Sequence, residues 1–98
     1  MKIKNEKLMG LGNKPIVLEN EEVTFASICI GAVLAKGEQE TGTMKFSNYQ
    51  LAEKLAAAKV DEDIELTIEE AKVIKDKVGT HYTAVLVGPI YKLLEKIE

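Results

Sequence analysis

The sequence predicts an α+β fold in which an N-terminal β-hairpin packs on a bundle of about four helices. A glycine-containing turn lies between two short extended segments near the N-terminus, and capped segments with helical spacing of apolar residues follow it. The chain has 98 residues, of which 46% are hydrophobic. That is enough for one core and too little for two. We therefore expect a single domain over 1–98, with the hairpin in 1–20 and the helical part in 24–97.

The hairpin is predicted from the turn at Gly12-Asn13. Both residue types adopt the positive φ angles that a tight turn needs. Pro15 can begin the outgoing strand, because the first residue of a strand need not donate a ladder hydrogen bond. Leu8 is expected to pair with residues 16–18 across this turn.

Helix one is predicted to begin after Thr24, whose hydroxyl can cap the first turn, and to end at Lys36-Gly37. Residues 23–35 carry no charge, and a strand is the alternative because several of them are β-branched. A helix of this length rises about 20 Å, whereas a bilayer core is about 30 Å thick, so we expect no membrane span. Two interpretations stay open. Helix one is either the central core helix of a monomer or a helix partly covered by a second copy.

Helix two is predicted after a polar loop. Residues 37–45 are polar and contain two glycines, which favours an exposed connection. Ser47 or Asn48 is then expected to cap a helix over about 49–59, with its leucines on the buried face.

Helix three has the clearest start signal, because Thr67 and Glu70 have the spacing of a capping box. The helix is predicted to run to Val78 and to end at Gly79. We expect Ile68 on the buried face and the lysines of the opposite face in water.

The C-terminal segment allows two interpretations. Val85 to Val87 form a short strand followed by a helix that begins at Pro89, or Thr83 caps one longer helix that is kinked at Pro89. Apolar residues at positions 86, 90, 93 and 97 have helical spacing across the proline, which favours the kinked helix.

The polar residues argue against several classes of function. The net charge is -3 and all 13 basic residues are lysine, whereas arginine is the usual reader of base edges and phosphates. Cys29 and His81 are the only candidates for a nucleophile and its base, but Cys29 lies in the most apolar segment and no acid adjoins His81. The acidic residues 61–65 fail as a calcium loop, because Leu66 and Lys72 stand where glycine and glutamate are required. We expect no catalytic residue, no metal site and no cofactor.

Three segments follow the hairpin in this order: VTFASICIGAVLA, FSNYQLAEKLAAA, and the stretch from IELTIEEAKV to GPIYKLLE. In this order they resemble small uncharacterised proteins encoded by tailed bacteriophages and prophages. The shared residues are structural and contain no catalytic motif. The resemblance implies a phage context, in which a protein of this size modifies a host machine or fills an assembly role.

The predicted function is non-enzymatic binding, by self-association as a homo-oligomer or by association with a host or viral protein. The predicted interface joins apolar residues of helix one and the last helix: Phe25, Ile28, Val33, Ile90, Tyr91 and Leu94. A nucleic-acid-associated regulator is the alternative, and its candidate polyanion contacts are Lys2, Lys4, Lys7, Lys72, Lys75 and Lys77. An enzyme is the third hypothesis. One cysteine and the lack of an apolar signal segment predict a cytoplasmic location.

Overall fold

Four short strands and four helices lie along residues 1–95, the part of the chain that the computed structural model describes. The elements are, in order, β1 (Lys2–Lys4), a 3-10 turn (Leu11–Asn13), β2 (Val17–Leu18), β3 (Glu21–Glu22), α1 (Phe25–Leu34), α2 (Gly42–Ala56), β4 (Asp63–Glu65), α3 (Ile68–His81) and α4 (Ala84–Glu95). The predicted α+β class is confirmed. The predicted end of the helical part at 97 lies outside the described residues.

The described strands form two small antiparallel sheets. β1 pairs with the distant β4, so that Ile3 and Ile64 lie opposite each other in the core. β2 pairs with β3 through a turn in which Glu19 and Asn20 have φ angles of 50° and 66°. Neither pairing was predicted, because these strands are too short to show an alternating pattern.

The predicted turn is present, since Gly12 and Asn13 have φ angles of 73° and 57°. The Ile16 amide donates to the Leu8 carbonyl at 3.0 Å, as the predicted pairing requires. The Leu8 amide in turn donates to Val23 at 2.9 Å, and the Val23 amide donates to Ile16 at 3.0 Å. This ring of hydrogen bonds joins both arms of the hairpin to the segment that enters α1.

α1 is the central helix and packs against α2 and α3. Six of its ten residues are buried: Phe25, Ala26, Ile28, Cys29, Ala32 and Val33. Thr24 caps its first turn as predicted, accepting the Ser27 amide at 3.2 Å, but the helix ends at Leu34, before the predicted Lys36-Gly37. The chain's own helices therefore cover most of α1. No helix within residues 1–95 has the length and hydrophobicity needed to cross a membrane.

α2 begins earlier than predicted, at Gly42, with Thr41 as its N-cap. The predicted caps Ser47 and Asn48 lie inside the helix, and the end of the predicted loop 37–45 forms its first turn. This start was not predicted, because the first turns of α2 are exposed on nearly all sides and show no apolar periodicity. The leucines of α2 are buried, as predicted.

The capping box of α3 is confirmed. Thr67 Oγ1 accepts the Glu70 amide at 3.1 Å, and the Glu70 carboxylate accepts the Thr67 amide at 2.9 Å. Ile68 was predicted to be buried and is mostly exposed instead. It lies at the first helical position, outside the core, and Leu66 just before it occupies the buried site.

Gly79 is an interior residue of α3 and not its end. Tyr91 of α4 lies across it and donates its hydroxyl to the Lys75 carbonyl at 2.8 Å. A Cβ atom at position 79 would lie 2.5 Å from that hydroxyl oxygen. Glycine is therefore needed here for helix packing, and α3 continues to His81.

α4 is a single helix that contains Pro89, so the alternative of a strand at Val85 to Val87 is wrong. Leu86, Ile90 and Leu94, each four residues apart, form its buried face. The helical spacing of apolar residues across Pro89 therefore predicted the single helix correctly. Position 97, the last of the predicted series, lies outside the described residues.

Asn5 is a buried polar residue at which three elements meet, and only 3% of it is exposed. Its side-chain oxygen accepts the Ala26 amide in the first turn of α1 at 2.8 Å. Its side-chain nitrogen donates to the carbonyls of Ala58 and Lys59, just after α2, at 3.2 Å and 3.3 Å. One amide group thus satisfies an amide of the first turn of α1, which has no intrahelical partner, and two carbonyls of the segment that follows α2.

We expect Asn5→Ala to lower the free energy of unfolding by about 3 kcal/mol, because it leaves one buried donor and two acceptors without their partner. Urea unfolding followed by circular dichroism measures this change. Gln50→Ala, which removes an exposed amide on α2, serves as the control and should stay within about 0.5 kcal/mol of wild type. A loss at Asn5 as small as that of the control would contradict the role assigned to it.

We expect Gly79→Ala to have opposite effects in two backgrounds. In wild type it should lower the free energy of unfolding by about 1–2 kcal/mol, because the new methyl group displaces the Tyr91 hydroxyl. In the Tyr91→Phe background, which lacks that oxygen, it should raise stability by about 0.5–1 kcal/mol through helix propensity. Thermal or urea unfolding of the four proteins completes the cycle. If Gly79→Ala changed the free energy of unfolding in the same direction in both backgrounds, the Tyr91 hydroxyl would not be the reason that glycine is favoured at position 79.

Candidate protein-interaction surface

Most of the residues predicted to form an interface lie in the core of their own chain. Five of the six are buried: Phe25, Ile28, Val33, Ile90 and Leu94. Tyr91 is half-buried and bonded to α3. The structure therefore places these residues inside the core of their own chain and leaves little of them exposed for a partner. Helical periodicity identifies an apolar face, but it does not show whether the same chain already covers that face.

The outer face of α4 meets the tip of the hairpin in a groove of about 300 Å³. Its walls include Met9 and Leu11 from the hairpin, and Val85, Pro89 and Lys92 from α4. We call it the hairpin–α4 groove. Leu11 is 92% exposed and Val85 is 56% exposed, so two aliphatic side chains face solvent at one site.

The turn that carries Leu11 is fixed by backbone hydrogen bonds. The Gly10 amide donates to Lys14 at 2.8 Å, and the Asn13 amide donates to Gly10 at 3.1 Å. Leu11 therefore projects from a preorganised turn. The sequence held a signal for it, because an aliphatic residue between two glycines in a turn has no core to enter. Leu11 was not among the predicted interface residues.

A second, more polar cleft of about 370 Å³ adjoins the groove and shares Met9, Pro89 and Lys92 with it. Lys7 in this cleft is ion-paired with Glu22 at 3.5 Å. Lys92 forms no ion pair with any residue of 1–95. The groove thus combines apolar walls with Lys92 at its edge, a lysine without an ion-pair partner among residues 1–95, and the adjoining cleft also contains Glu6.

The lysines proposed as polyanion contacts in the strand region face acidic residues. Lys2 lies opposite Glu65, and Lys4 lies opposite Asp63, in the register of β1 with β4. Lys7 is ion-paired, as described above. Such pairing lowers the local positive potential that a polyanion would need.

The candidate lysines of α3 differ from one another. Lys72 is exposed, whereas Lys75 is ion-paired with Glu95 at 3.0 Å and lies over the Tyr91 ring. Lys77 was expected to face water and is buried, so its assignment as a polyanion contact is wrong. The six lysines do not form one continuous basic patch.

Lys77 instead holds the connection between α1 and α2. Its ammonium donates to the Ala35 carbonyl at 2.8 Å and to the Glu40 carboxylate at 2.9 Å. The same carboxylate accepts the Gly37 amide at 3.2 Å and the Asn48 side chain at 3.0 Å. The hydrogen bond from Lys77, supported by those from Gly37 and Asn48, holds the pKa of Glu40 below its ordinary value.

The two residues weighed for catalysis lie in different environments. Cys29 is fully buried on α1, and burial raises the pKa of its thiol far above the ordinary range. His81 is exposed at the last position of α3. Within residues 1–95, no group of three or more histidine, cysteine or acidic residues is placed to hold a metal ion.

No family model, curated protein or solved structure matched this chain in the comparisons.

The Glu40–Lys77 pair predicts a specific dependence of stability on pH. The pKa of folded Glu40 lies below the ordinary value of 4.5, so its ionisation stabilises the fold fully above about that pH. This contribution is lost as the pH falls through the lower folded-state pKa. We therefore expect the stability difference between wild type and Glu40→Gln to be constant above pH 4.5 and to shrink below it.

Urea unfolding of both proteins at a series of pH values measures this difference. Subtracting the variant removes the titration of the other acidic residues, which the two proteins share. A difference that does not change with pH would show that the ionised carboxylate adds no stability.

Proposed function

We propose that this chain is a small non-enzymatic interaction protein that binds an apolar segment of a host or viral protein in the hairpin–α4 groove. The observation that carries the proposal is the exposure of Leu11 on a preorganised turn, beside the exposed Val85. Fully burying an aliphatic side chain contributes roughly 1.5–3 kcal/mol. Two such anchors at one site are a credible centre for an interface.

The charge at the edge of the groove supports an acidic partner segment. Lys92 has no acidic partner within the described chain, and the neighbouring Lys7 shares a single carboxylate at 3.5 Å. A partner that carries aspartate or glutamate beside an apolar anchor would pair with Lys92. Complementary charge of this kind raises association rates and selects partners more than it adds affinity.

The resemblance to phage and prophage proteins supports a partner of host or viral origin, in the cytoplasm. The nucleic-acid alternative has less support, because most of its candidate lysines face carboxylates or are buried. The enzyme hypothesis has no supporting constellation in residues 1–95, where the only thiol is buried.

We expect peptides selected from a random displayed library against the wild-type protein to combine aliphatic or aromatic residues with acidic ones. Val85→Asp should weaken their binding at least about tenfold, because the charge would be buried against the apolar anchor. Lys92→Glu should weaken the acidic peptides alone. Fluorescence anisotropy with a labelled selected peptide measures both effects.

Ile68→Asp is the matched control, because it also replaces an exposed aliphatic residue but lies outside the groove. It should leave peptide affinity unchanged. If both aspartate variants weakened binding equally, or if selected peptides perturbed no amide signals of residues 9–11 and 84–92 in NMR spectra, the groove would not be the binding site.

A further inference from the structure

A second apolar surface lies on the outward face of α2, on the other side of the helix from its core residues. We call it the α2 stripe, and its members are Phe46, Tyr49, Gln50, Glu53, Ala56 and Ala57. Phe46 is 61% exposed and Tyr49 is 55% exposed. Two of the five aromatic residues of the chain are thus displayed outside the core. Aromatic residues are enriched at interfaces and at their energetic centres.

The α2 stripe cannot be covered by a rotation of α2 within the chain. Leu51, Ala52 and Leu55 occupy the opposite face and are buried against the core. Thr41 caps the start of the helix, and Asn48 on the inner side bonds to Glu40 at 3.0 Å. The aromatic residues therefore keep their outward position.

Side-chain size is graded along the α2 stripe. The large residues Phe46 and Tyr49 lie in its N-terminal half, and the small Ala56 and Ala57 lie at its C-terminal end. Between them are two polar residues at helical spacing. A surface that is large at one end and small at the other is complementary to its own copy in the reverse direction.

We propose that a second copy of this chain covers the α2 stripe, with the two α2 helices antiparallel. A two-fold axis between positions 51 and 52 places Phe46 opposite Ala57 of the second copy, and Gln50 opposite Glu53 of the second copy. Each contact occurs twice by symmetry. The alanines let the two helices approach closely, because interhelical distance depends on the side chains at the contact.

A parallel arrangement of the same helices is unfavourable. It would place Glu53 against Glu53 of the second copy. It would also place the aromatic residues of both copies at the same end of the helix pair, and these large side chains would hold the helices too far apart for the alanines to touch.

The size of the α2 stripe predicts a weak dimer. A helix of 15 residues is about 22 Å long, so one helix pair buries less than the roughly 1,600 Å² of a standard interface. We therefore expect a dissociation constant on the order of 100 μM.

Sedimentation velocity over protein concentrations from about 10 μM to about 1 mM tests the surface. The mean mass of wild type should rise above the monomer value of 10.8 kDa. Ala57→Glu should stay near that value, because it places a charge against Phe46 of the second copy. Ala84→Glu is the matched control: it is the same substitution at an exposed alanine of the hairpin–α4 groove, and it should behave as wild type.

Position 50 tests the direction of the helices. Gln50→Lys should strengthen the dimer about threefold, because each lysine faces Glu53 of the second copy, and Gln50→Glu should weaken it about as much. In a parallel dimer the two lysines would face each other, and Gln50→Lys would weaken association. Circular dichroism checks that every variant keeps its helices.

Three results would overturn the proposal: a wild-type protein that stays at the monomer mass at about 1 mM, a dimer that Ala84→Glu disrupts and Ala57→Glu does not, or a dimer that Gln50→Lys weakens. The first result would show that the α2 stripe does not form a dimer. The second would show that the dimer contact lies in the groove. Peptide binding is measured at protein concentrations at which the chain is monomeric, where none of the three results changes it, so this proposal and the proposed function can fail separately.

Discussion

The hydrogen bonds of Asn5 fix how the strand region lies on the helices. Its side chain bonds to the start of α1 and to the end of α2. Its backbone amide donates to Glu62, and its carbonyl accepts the Asp61 amide, both at 2.8 Å, just before β4. These hydrogen bonds can all form in only one arrangement of the strand region, α1 and α2. The main effect of Asn5 is therefore to specify a single packing of these elements. The Glu6 carbonyl then accepts the Phe25 amide at 2.9 Å, which sets the hairpin beside the start of α1.

Features that depend on local chemistry were predictable from the sequence. Thr24 and Thr67 cap helices through residues three positions away, and Gly12-Asn13 provide a turn by their own φ preferences. Features that depend on distant partners were not. The residue opposite Ile3 lies in an acidic segment that shows no strand pattern, and Gly79 has a role only because Tyr91 of another helix packs over it. Long-range contacts of this kind leave no trace in a local window of sequence.

The residues predicted for the interface are buried for the same reason that the core was easy to find. Apolar periodicity selected Phe25, Ile90 and their neighbours, and the chain's own helices bury them. The apolar residues that remain for a partner break the local pattern. Leu11 lies between two glycines, and Phe46 lies between the predicted loop 37–45 and the predicted helix cap at Ser47 or Asn48. Both proposed surfaces therefore rest on exposed apolar residues that lie outside an apolar run.

The two proposed surfaces are carried by different helices, which makes them compatible. α2 packs on α1, whereas α4 packs on α3, and the hairpin–α4 groove has no wall from α2. A dimer formed through the α2 stripe would therefore present two open grooves. When both grooves engage one multivalent partner, the second binding event is intramolecular, so that two weak contacts produce a much tighter complex. A weak dimer with a weak groove would then bind a repeated target, such as a symmetric assembly, far better than a single copy of that target.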